Sequence, residues 1–153
     1  MAAAPSTTPM DRALAEARRA AERGDVPVGA VVVDGETGRV VAAAANAMHT
    51  THDPTAHAEM LAIRMAAAEI GSERLAGFDL YVTLEPCAMC AAAISFARVR
   101  RLYYGAGDAK FGGVNHGPRF FAQPTCHHTP EIYGGIGEVE AAALLRDFFS
   151  AKR

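Results

Sequence analysis

The sequence contains little cysteine: three residues in 153, of which Cys87 and Cys90 are separated by only two positions. An odd count with this spacing argues against a disulfide framework and favours a metal site in a reducing compartment. The sequence also lacks any run approaching the roughly 20 apolar residues that a bilayer crossing needs. Its opening residues have neither a basic start nor a long apolar stretch, so no secretory signal is expected. These absences predict a cytoplasmic protein without a membrane span, with a disordered leader at residues 1–9.

The length of the chain predicts one domain over residues 10–153. The numbers of charged side chains are moderate, with 15 Lys and Arg against 17 Asp and Glu. The distribution is uneven. Residues 1–97 carry 7 basic and 12 acidic side chains, whereas residues 98–153 carry 8 basic and 5 acidic ones. The second part offers a polyanion a place to bind, although charges scattered over a solvated surface explain the same numbers.

The hydrophobic pattern predicts four helices and five strands. The predicted helices extend from after Pro9 to Arg23 and over Thr55–Ile70, Cys87–Ala97 and Gly137–Lys152. The predicted strands are Val28–Asp34, Arg39–Ala45, Phe78–Leu84, Arg101–Tyr104 and Glu131–Tyr133. Asn46–Pro54 and Gly105–Pro130 are expected to be irregular, and the last helix is expected to direct Ala142, Leu145, Phe148 and Phe149 inward. This alternation predicts an α/β fold with a mixed sheet and helices on both faces.

Two short segments carry the chemistry: His57-Ala-Glu59, and Pro86-Cys87-Ala-Met-Cys90. Each alone is a modest signal, but together they form the H-x-E…P-C-x-x-C pattern of zinc deaminases. Cys87 and Cys90 are three positions apart at a predicted helix start, so both sulfurs lie on one side of its first turn. The positive end of the helix favours the thiolate, which is the form that binds zinc. Pro86 suits the first helical position.

His57 adds an imidazole, so the expected site has three protein ligands for one Zn²⁺ per subunit. Catalytic zinc sites leave the fourth position to water, whereas structural sites are closed by four protein ligands. A zinc-bound water ionises near pH ~7, so hydroxide becomes available. Glu59 is then expected to take its proton and pass protons to the substrate, although a lone glutamate on a helix is more often simply solvated. Cys126-His127-His128 is a possible second metal tract, but no partner ligands are visible and a polar loop is favoured.

Beyond these motifs the sequence resembles the bacterial tRNA wobble-adenosine deaminases of the cytidine deaminase-like superfamily. The resemblance covers nearly the whole chain after about residue 10. It is carried by Val26-Pro-Val-Gly-Ala-Val31, His52-Asp-Pro-Thr-Ala-His-Ala-Glu59, Leu80-Tyr-Val-Thr-Leu-Glu-Pro-Cys87, Gly105-Ala-Gly-Asp-Ala-Lys110 and Ala143-Leu-Leu-Arg-Asp-Phe-Phe149. It implies a three-layer α/β/α fold with a five-stranded mixed sheet, a homodimer, and conversion of adenosine to inosine in a tRNA anticodon loop.

The resemblance also implies substrate contacts. Asn46 would hydrogen-bond the target base, while Val28, Ala58 and Leu84 would shape its pocket. Asp108 would touch the nucleic-acid backbone, and Phe148 and Phe149 would face the anticodon loop together with basic residues of the last helix. Each has a structural alternative: Asn46 as a turn residue, Asp108 as a loop cap, and the two phenylalanines as core anchors.

Two alternatives to the tRNA deaminase remain. Residues 111–130 differ from the family pattern beside the expected substrate mouth, which leaves room for an enzyme acting on a free nucleobase or nucleoside with the same zinc chemistry. The other alternative is a structural-zinc RNA-binding module, which needs a fourth protein ligand such as Cys126 and leaves Glu59 without a purpose.

Overall fold

A computed structural model describes residues 7–152 of the chain. Residues 1–6 of the expected leader and Arg153 lie outside the described residues. The elements, in order, are α1 (Pro9–Glu22), β1 (Gly29–Asp34), β2 (Val40–Ala45), α2 (Met48–Thr51), α3 (Ala58–Ile70), β3 (Phe78–Leu84), α4 (Ala88–Phe96), β4 (Arg101–Ala106), a 3₁₀ turn (Phe120–Ala122), β5 (Glu131–Tyr133) and α5 (Glu138–Ala151).

The five strands form one mixed sheet in the order β2-β1-β3-β4-β5. β1 pairs antiparallel with both β2 and β3, so it lies between its hairpin partner and the next strand along the chain. β3, β4 and β5 are parallel, with Leu80 opposite Leu102 and Leu102 opposite Ile132. The expected five-stranded mixed α/β sheet is therefore confirmed.

Helices cover both faces of this sheet, as expected from the alternation of strands and helices along the chain. On one face α3 and α4 pack against the strands through a core that includes Ala62, Ile94, Leu80 and Leu102. On the other face α1 and α5 bury a smaller core, which consists of Met10, Ala13, Leu14, Val31, Val33, Ala106 and Ala141. Within residues 7–152, no helix combines the length and apolar character that a membrane crossing requires.

The first helix begins inside the segment expected to be a leader. Thr8 is its N-cap and accepts a hydrogen bond from the Asp11 N–H (3.1 Å), while the Asp11 carboxylate accepts one from the Thr8 N–H (3.1 Å). This reciprocal capping box satisfies two N–H groups that the helix leaves free, and Pro9 occupies the first helical position, where no N–H is needed. The ordered fold therefore includes Thr8 and Pro9.

A short helix, α2, lies in the segment expected to be an irregular loop. Its first amides are capped from a distance: the buried carboxylate of Asp25 accepts hydrogen bonds from the N–H groups of His49 (2.8 Å) and Thr50 (3.1 Å). The side-chain oxygen of Asn46 accepts one from the Met48 N–H (3.3 Å). Since Asp25 is 24 positions away from His49, local sequence patterns carry no sign of this cap.

Helices α3 and α4 begin later than the apolar pattern predicts. The expected starts were Thr55 and Cys87, whereas His57 and Cys87 are the N-caps of helices that begin at Ala58 and Ala88. Pro86 therefore precedes the cap and is not the first helical residue. Both capping residues have extended backbone, which directs their side chains away from the helix axis and towards the site.

The expected inward face of α5 is wrong in part. Phe149 is 49% exposed, and Ala141 is the fully buried residue of this helix, with Leu144 packed beside it. The helix contacts β4, α1 and β3, and the residues that it packs on the core are Ala141, Ala142 and Leu144, so Ala142 points inward as expected. Periodicity identified an apolar face but not where along the helix the packing ends.

Candidate active site

His57, Cys87 and Cys90 bring three metal-binding atoms together at the starts of α3 and α4. The Nδ1 atom of His57 lies 3.6 Å from the Cys87 sulfur and 3.4 Å from the Cys90 sulfur, and all three ligand atoms are within 4.8 Å of one another. Among residues 7–152, no other group of three His, Cys, Asp or Glu side chains meets this spacing.

These separations fit a tetrahedral zinc ion. Zinc binds sulfur at about 2.3 Å and imidazole nitrogen at about 2.0–2.1 Å, so a tetrahedral arrangement separates N and S atoms by about 3.6 Å. Two sulfurs and one nitrogen also match the ligand types that zinc prefers. The three side chains therefore form a zinc site that leaves one tetrahedral position to a fourth, non-protein ligand.

The protonation of the two cysteines depends on their mutual contact. The hydrogen bond from the Cys90 thiol lowers the pKa of Cys87 to about 4, and burial opposes this only in part. The same hydrogen bond, together with burial, raises the pKa of Cys90. The shared hydrogen bond thus favours the thiolate at Cys87 and the thiol at Cys90. A cation bound by both sulfurs must displace the Cys90 proton, which makes metal affinity depend on pH.

Glu59 lies in the first turn of α3, two residues after His57, and its side chain is buried. Burial raises the pKa of the carboxyl group, and the nearby imidazole of His57 opposes the rise. A carboxyl group whose pKa is shifted towards neutrality is suited to take up and return a proton in the pH range where the protein works.

A cavity of about 1240 Å³ opens above the metal-binding atoms. It is lined by Val26, Val28, Asn46, Met48, His57, Ala58, Glu59, Leu84, Glu85, Cys87, Ala88, Met89, Gly107, Asp108, Ala109, Lys110, Phe111, Leu145, Phe149 and Lys152. Of the residues singled out in the sequence, it brings together His57, Cys87, Glu59, Asn46, Val28, Ala58, Leu84, Asp108 and Phe149. Cys90 lies behind the cavity wall, fully buried.

Asn46 is held firmly in the wall of this cavity. Its side-chain nitrogen donates to the Val26 carbonyl (3.1 Å), and its side-chain oxygen accepts from the Met48 N–H (3.3 Å). Its backbone carbonyl accepts from Arg23 (3.0 Å). The side chain is thus both a turn residue, as in the structural alternative, and a polar group at the cavity surface.

Asp108 and Phe148 occupy positions that differ from the simplest expectation. The Asp108 carboxylate caps a turn by accepting hydrogen bonds from the N–H groups of Lys110 and Phe111, both at 3.0 Å. Phe148 does not line the cavity but packs edge-on against Phe149, with 5.4 Å between ring centroids. The ammonium group of Lys152 lies 4.9 Å from the centre of the Phe148 ring. Phe148 therefore supports the rim, whereas Phe149 forms part of it.

Several cavity residues had no role in the sequence analysis, among them Glu85, Phe111 and Met48. Glu85 stands directly before Pro86 and Cys87, and this adjacency was the available signal. Phe111 belongs to the irregular segment, where no periodicity identifies exposed positions, and it is 75% exposed.

The second candidate metal tract forms hydrogen bonds within its loop and with α4 and the turn that follows it. The thiol of Cys126 donates to the His128 carbonyl (3.3 Å), and the His128 ring nitrogen Nε2 lies 2.7 Å from the Val99 carbonyl oxygen. The structural interpretation of this tract is therefore favoured, and Cys126 does not close the zinc site.

The fold and the site together define a zinc-dependent deaminase. A family model described as the cytidine and deoxycytidylate deaminase zinc-binding region matches residues 5–106 of the chain. This range includes β1 to β4 of the sheet and all three metal-binding residues. An enzyme with a bound zinc ion is thus the class to which the geometry and the sequence both point.

Relatives narrow this class. A tRNA-specific adenosine deaminase of Agrobacterium fabrum is 60% identical over 144 residues, covering 94% of this chain and 93% of that protein. One from Rickettsia bellii is 44% identical, with coverage of 94% and 99%. A structure from a study of A-to-I editing by tRNA:A34 deaminases at the wobble position matches with a TM-score of 0.87 and 60% identity, covering 90% of this chain and 98% of that one. The chain belongs to the tRNA-specific adenosine deaminases within the cytidine and deoxycytidylate deaminase family.

Proposed function

We propose that this protein converts adenosine to inosine at the wobble position of a tRNA anticodon by hydrolytic deamination. The observation that carries the proposal is a zinc site and a buried carboxylate at the base of one cavity, in a chain 60% identical to a tRNA-specific adenosine deaminase. The overall reaction consumes water and adenosine and yields inosine and ammonia.

In this proposal His57, Cys87 and Cys90 hold one Zn²⁺ per subunit, and Glu59 moves the protons. When bound, zinc lowers the pKa of a coordinated water to about 7 and so supplies a nucleophile near neutral pH. Glu59 would take one proton from the attacking water and deliver it to the ring nitrogen beside the reacting carbon. It would then take the remaining hydroxyl proton and deliver it to the departing amine, which would leave as ammonia. Each transfer starts or ends on the same carboxylate, whose position beside His57 supports the assignment.

Recognition of the base falls to the walls between the metal site and the opening. Asn46 is the polar group there and would hydrogen-bond the edge of the purine, while Val28, Ala58 and Leu84 supply apolar surface for its faces. A base presented to this site must be turned out of its stack, and a loop base loses the least stacking in doing so.

The rim of the cavity supports a nucleic-acid substrate over a free base. Its volume exceeds the roughly 300–1,000 Å³ typical of small-molecule sites, which leaves space for nucleotides on either side of the target. Lys110 and Lys152 bring positive charge to the rim, and Phe111 and Phe149 expose aromatic rings on which bases stack. Asp108 orders the turn that carries Lys110 and Phe111, and a contact to the RNA backbone near the target remains part of the proposal.

The test is a deamination assay of the zinc-loaded protein on an anticodon stem-loop with a wobble adenosine, beside free adenosine, guanine and cytosine. We expect inosine in the RNA alone. Glu59→Gln should retain zinc and lower kcat by about 10²–10⁴-fold, because it removes the proton carrier. Turnover of a free base with no change in the RNA would support zinc-dependent deamination but contradict the assignment of tRNA as the substrate. Four protein donors and no water by X-ray absorption would instead revive a structural zinc site.

We further propose that the protein is a cytoplasmic homodimer that associates through the outer surface of α3 and α4. Met65 and Phe96, one from each helix, are large apolar side chains left exposed there, at 49% and 65%. Exposed apolar groups on adjacent helices favour burial against a partner of the same surface. Sedimentation should give twice the 16.1 kDa chain mass, and Phe96→Asp should shift it to the monomer; a monomeric unmodified protein contradicts the proposal.

A further inference from the structure

Glu85 is a buried carboxylate that the deamination chemistry leaves without a task. It follows the last residue of β3 and precedes Pro86 and Cys87, and its side chain is fully shielded from solvent. A buried charge is costly unless hydrogen bonds satisfy it. The partners of this carboxylate therefore indicate what it is for.

All of its side-chain partners come from one segment, residues 107–116, which we call the mouth segment. Oε1 accepts from the Asp108 N–H (3.1 Å) and from the His116 ring nitrogen Nδ1 (2.6 Å). Oε2 accepts from the N–H groups of Val114 (3.1 Å), Asn115 (2.9 Å) and His116 (3.1 Å). Five donors on one carboxylate gather both ends of the mouth segment around a single point.

The mouth segment is also seated closely on the strand-to-helix turn that carries Cys87. The Gly113 N–H donates to the Pro86 carbonyl (2.8 Å). A β-carbon on Gly113 would lie 2.6 Å from the backbone nitrogen of Ala88, and one on Gly112 would lie 2.6 Å from the Glu85 carboxyl carbon. Both separations are too short for a real side chain, so glycine is required at these two positions for the segment to approach this closely.

From Glu85 the contacts lead outward to the rim. Its hydrogen bond fixes the Asp108 backbone, and the Asp108 carboxylate in turn accepts from the N–H groups of Lys110 and Phe111. Residues 107–111 all line the cavity, and the Phe111 ring is largely exposed at its edge. A buried group next to a metal-binding residue thus sets the position of exposed groups at the entrance.

We propose that Glu85 is a positioning residue for the RNA substrate: it fixes the mouth segment relative to the metal site, so that Lys110 and Phe111 meet the nucleotides beside the target base. This inference rests on the proposed function for the identity of the substrate. Glu85 itself touches neither the reacting atoms nor the metal-binding atoms, and it acts through the backbone that it holds.

Asp79 provides a matched control at the opposite end of β3. It is also a buried carboxylate, and it accepts two hydrogen bonds from Arg100 at 2.9 and 2.7 Å. It lines no part of the cavity. Asp79→Asn therefore measures what the loss of a buried, hydrogen-bonded charge does to the fold alone.

The experiment compares Glu85→Gln with Asp79→Asn, both in zinc-loaded full-length protein. Amide hydrogen exchange reports on the mouth segment, and fluorescence anisotropy of a labelled anticodon stem-loop in a Glu59→Ala background reports Kd. We expect Glu85→Gln to accelerate exchange at residues 108 and 114–116, to keep its zinc, and to weaken RNA binding by about tenfold or more, as displaced contacts do. Asp79→Asn should leave Kd within about twofold, because its site is distant.

A second, milder variant covers the case in which Glu85→Gln does not fold. His116→Ala removes only one of the five donors, from a side chain that is 42% exposed, and should give a smaller change in the same direction for both exchange and Kd. Unchanged exchange in the mouth segment overturns the proposal, and so does faster exchange with an unchanged Kd. If the unmodified protein acts on a free base and ignores RNA, the proposed function fails separately, and KM for that base, measured with Glu59 intact, replaces Kd in the comparison of Glu85→Gln with Asp79→Asn.

Discussion

The two ends of the cavity are built in different ways. At the metal end, His57, Glu59, Cys87 and Cys90 come from two short stretches of sequence at the starts of two helices, packed against the core. At the rim, the side chains come from the mouth segment and the last turn of α5, and they are largely exposed. In the proposed function, the metal end carries out the reaction with two short motifs, whereas the rim selects the substrate with exposed groups that long-range contacts hold in place.

The strongest way to sharpen this comparison is to remove one metal-binding group. Cys87→Ala should lose most of its zinc and lower activity by more than about 100-fold, since even residues that only support metal ligands contribute about 10–100-fold. Elemental analysis and kcat measure the two effects. Cys126→Ala is the control, because that thiol contacts the His128 carbonyl and the Ser95 hydroxyl and is not part of the metal-binding group. Equal zinc loss in the two variants would contradict the assignment.

A smaller effect is expected at the rim. Phe149→Ala should weaken binding of the stem-loop by about 1–3 kcal/mol, the range for one base stacked on an aromatic ring, without changing zinc content. Val139→Ala on the same helix is the control, because that side chain is 83% exposed and does not line the cavity. Equal changes in Kd would show that α5 acts only as a scaffold.

The smallest effect concerns charge. Lys110→Ala should lower the slope of log K against log salt by about 0.7, the value for one phosphate contact to a single strand. Arg74→Ala, an exposed cation beyond the C-terminal end of α3, should leave the slope unchanged. Titrations of the stem-loop at several salt concentrations measure both, and identical slopes for all three proteins would remove Lys110 from the interface.

The same contrast explains what the sequence could predict. Local spacing places Glu59 two positions after His57 and both cysteines at one helix start. The contact of His57 with Cys87 and Cys90 joins positions 30 and 33 residues apart, and it was predictable only because the two segments together form a known zinc-binding pattern. The strand pattern also predicted a mixed sheet, and the family resemblance implied its five strands.

The rest depended on partners distant in sequence. The hydrogen bonds by which Asp25 caps α2 and Glu85 holds the mouth segment join positions 23 to 31 residues apart. The exposure of Phe149 follows from where along α5 the core packing ends, and the apolar periodicity of the sequence does not show that position. Such features need the packed structure, because no local propensity records them.

In the proposed function Asn46 meets the edge of the base, and the way its amide is anchored decides which ring edge it would pair with. Its amide is anchored at both ends, by the Val26 carbonyl and the Met48 N–H, so the oxygen and the nitrogen cannot exchange places. The one hydrogen and the lone pair that remain free are therefore presented in a fixed order. A purine edge with its acceptor and donor in the matching order pairs with both, whereas the reversed order meets donor with donor and acceptor with acceptor. The hydrogen bonds to the Val26 carbonyl and from the Met48 N–H thus fix the order in which Asn46 presents its free donor and its free acceptor.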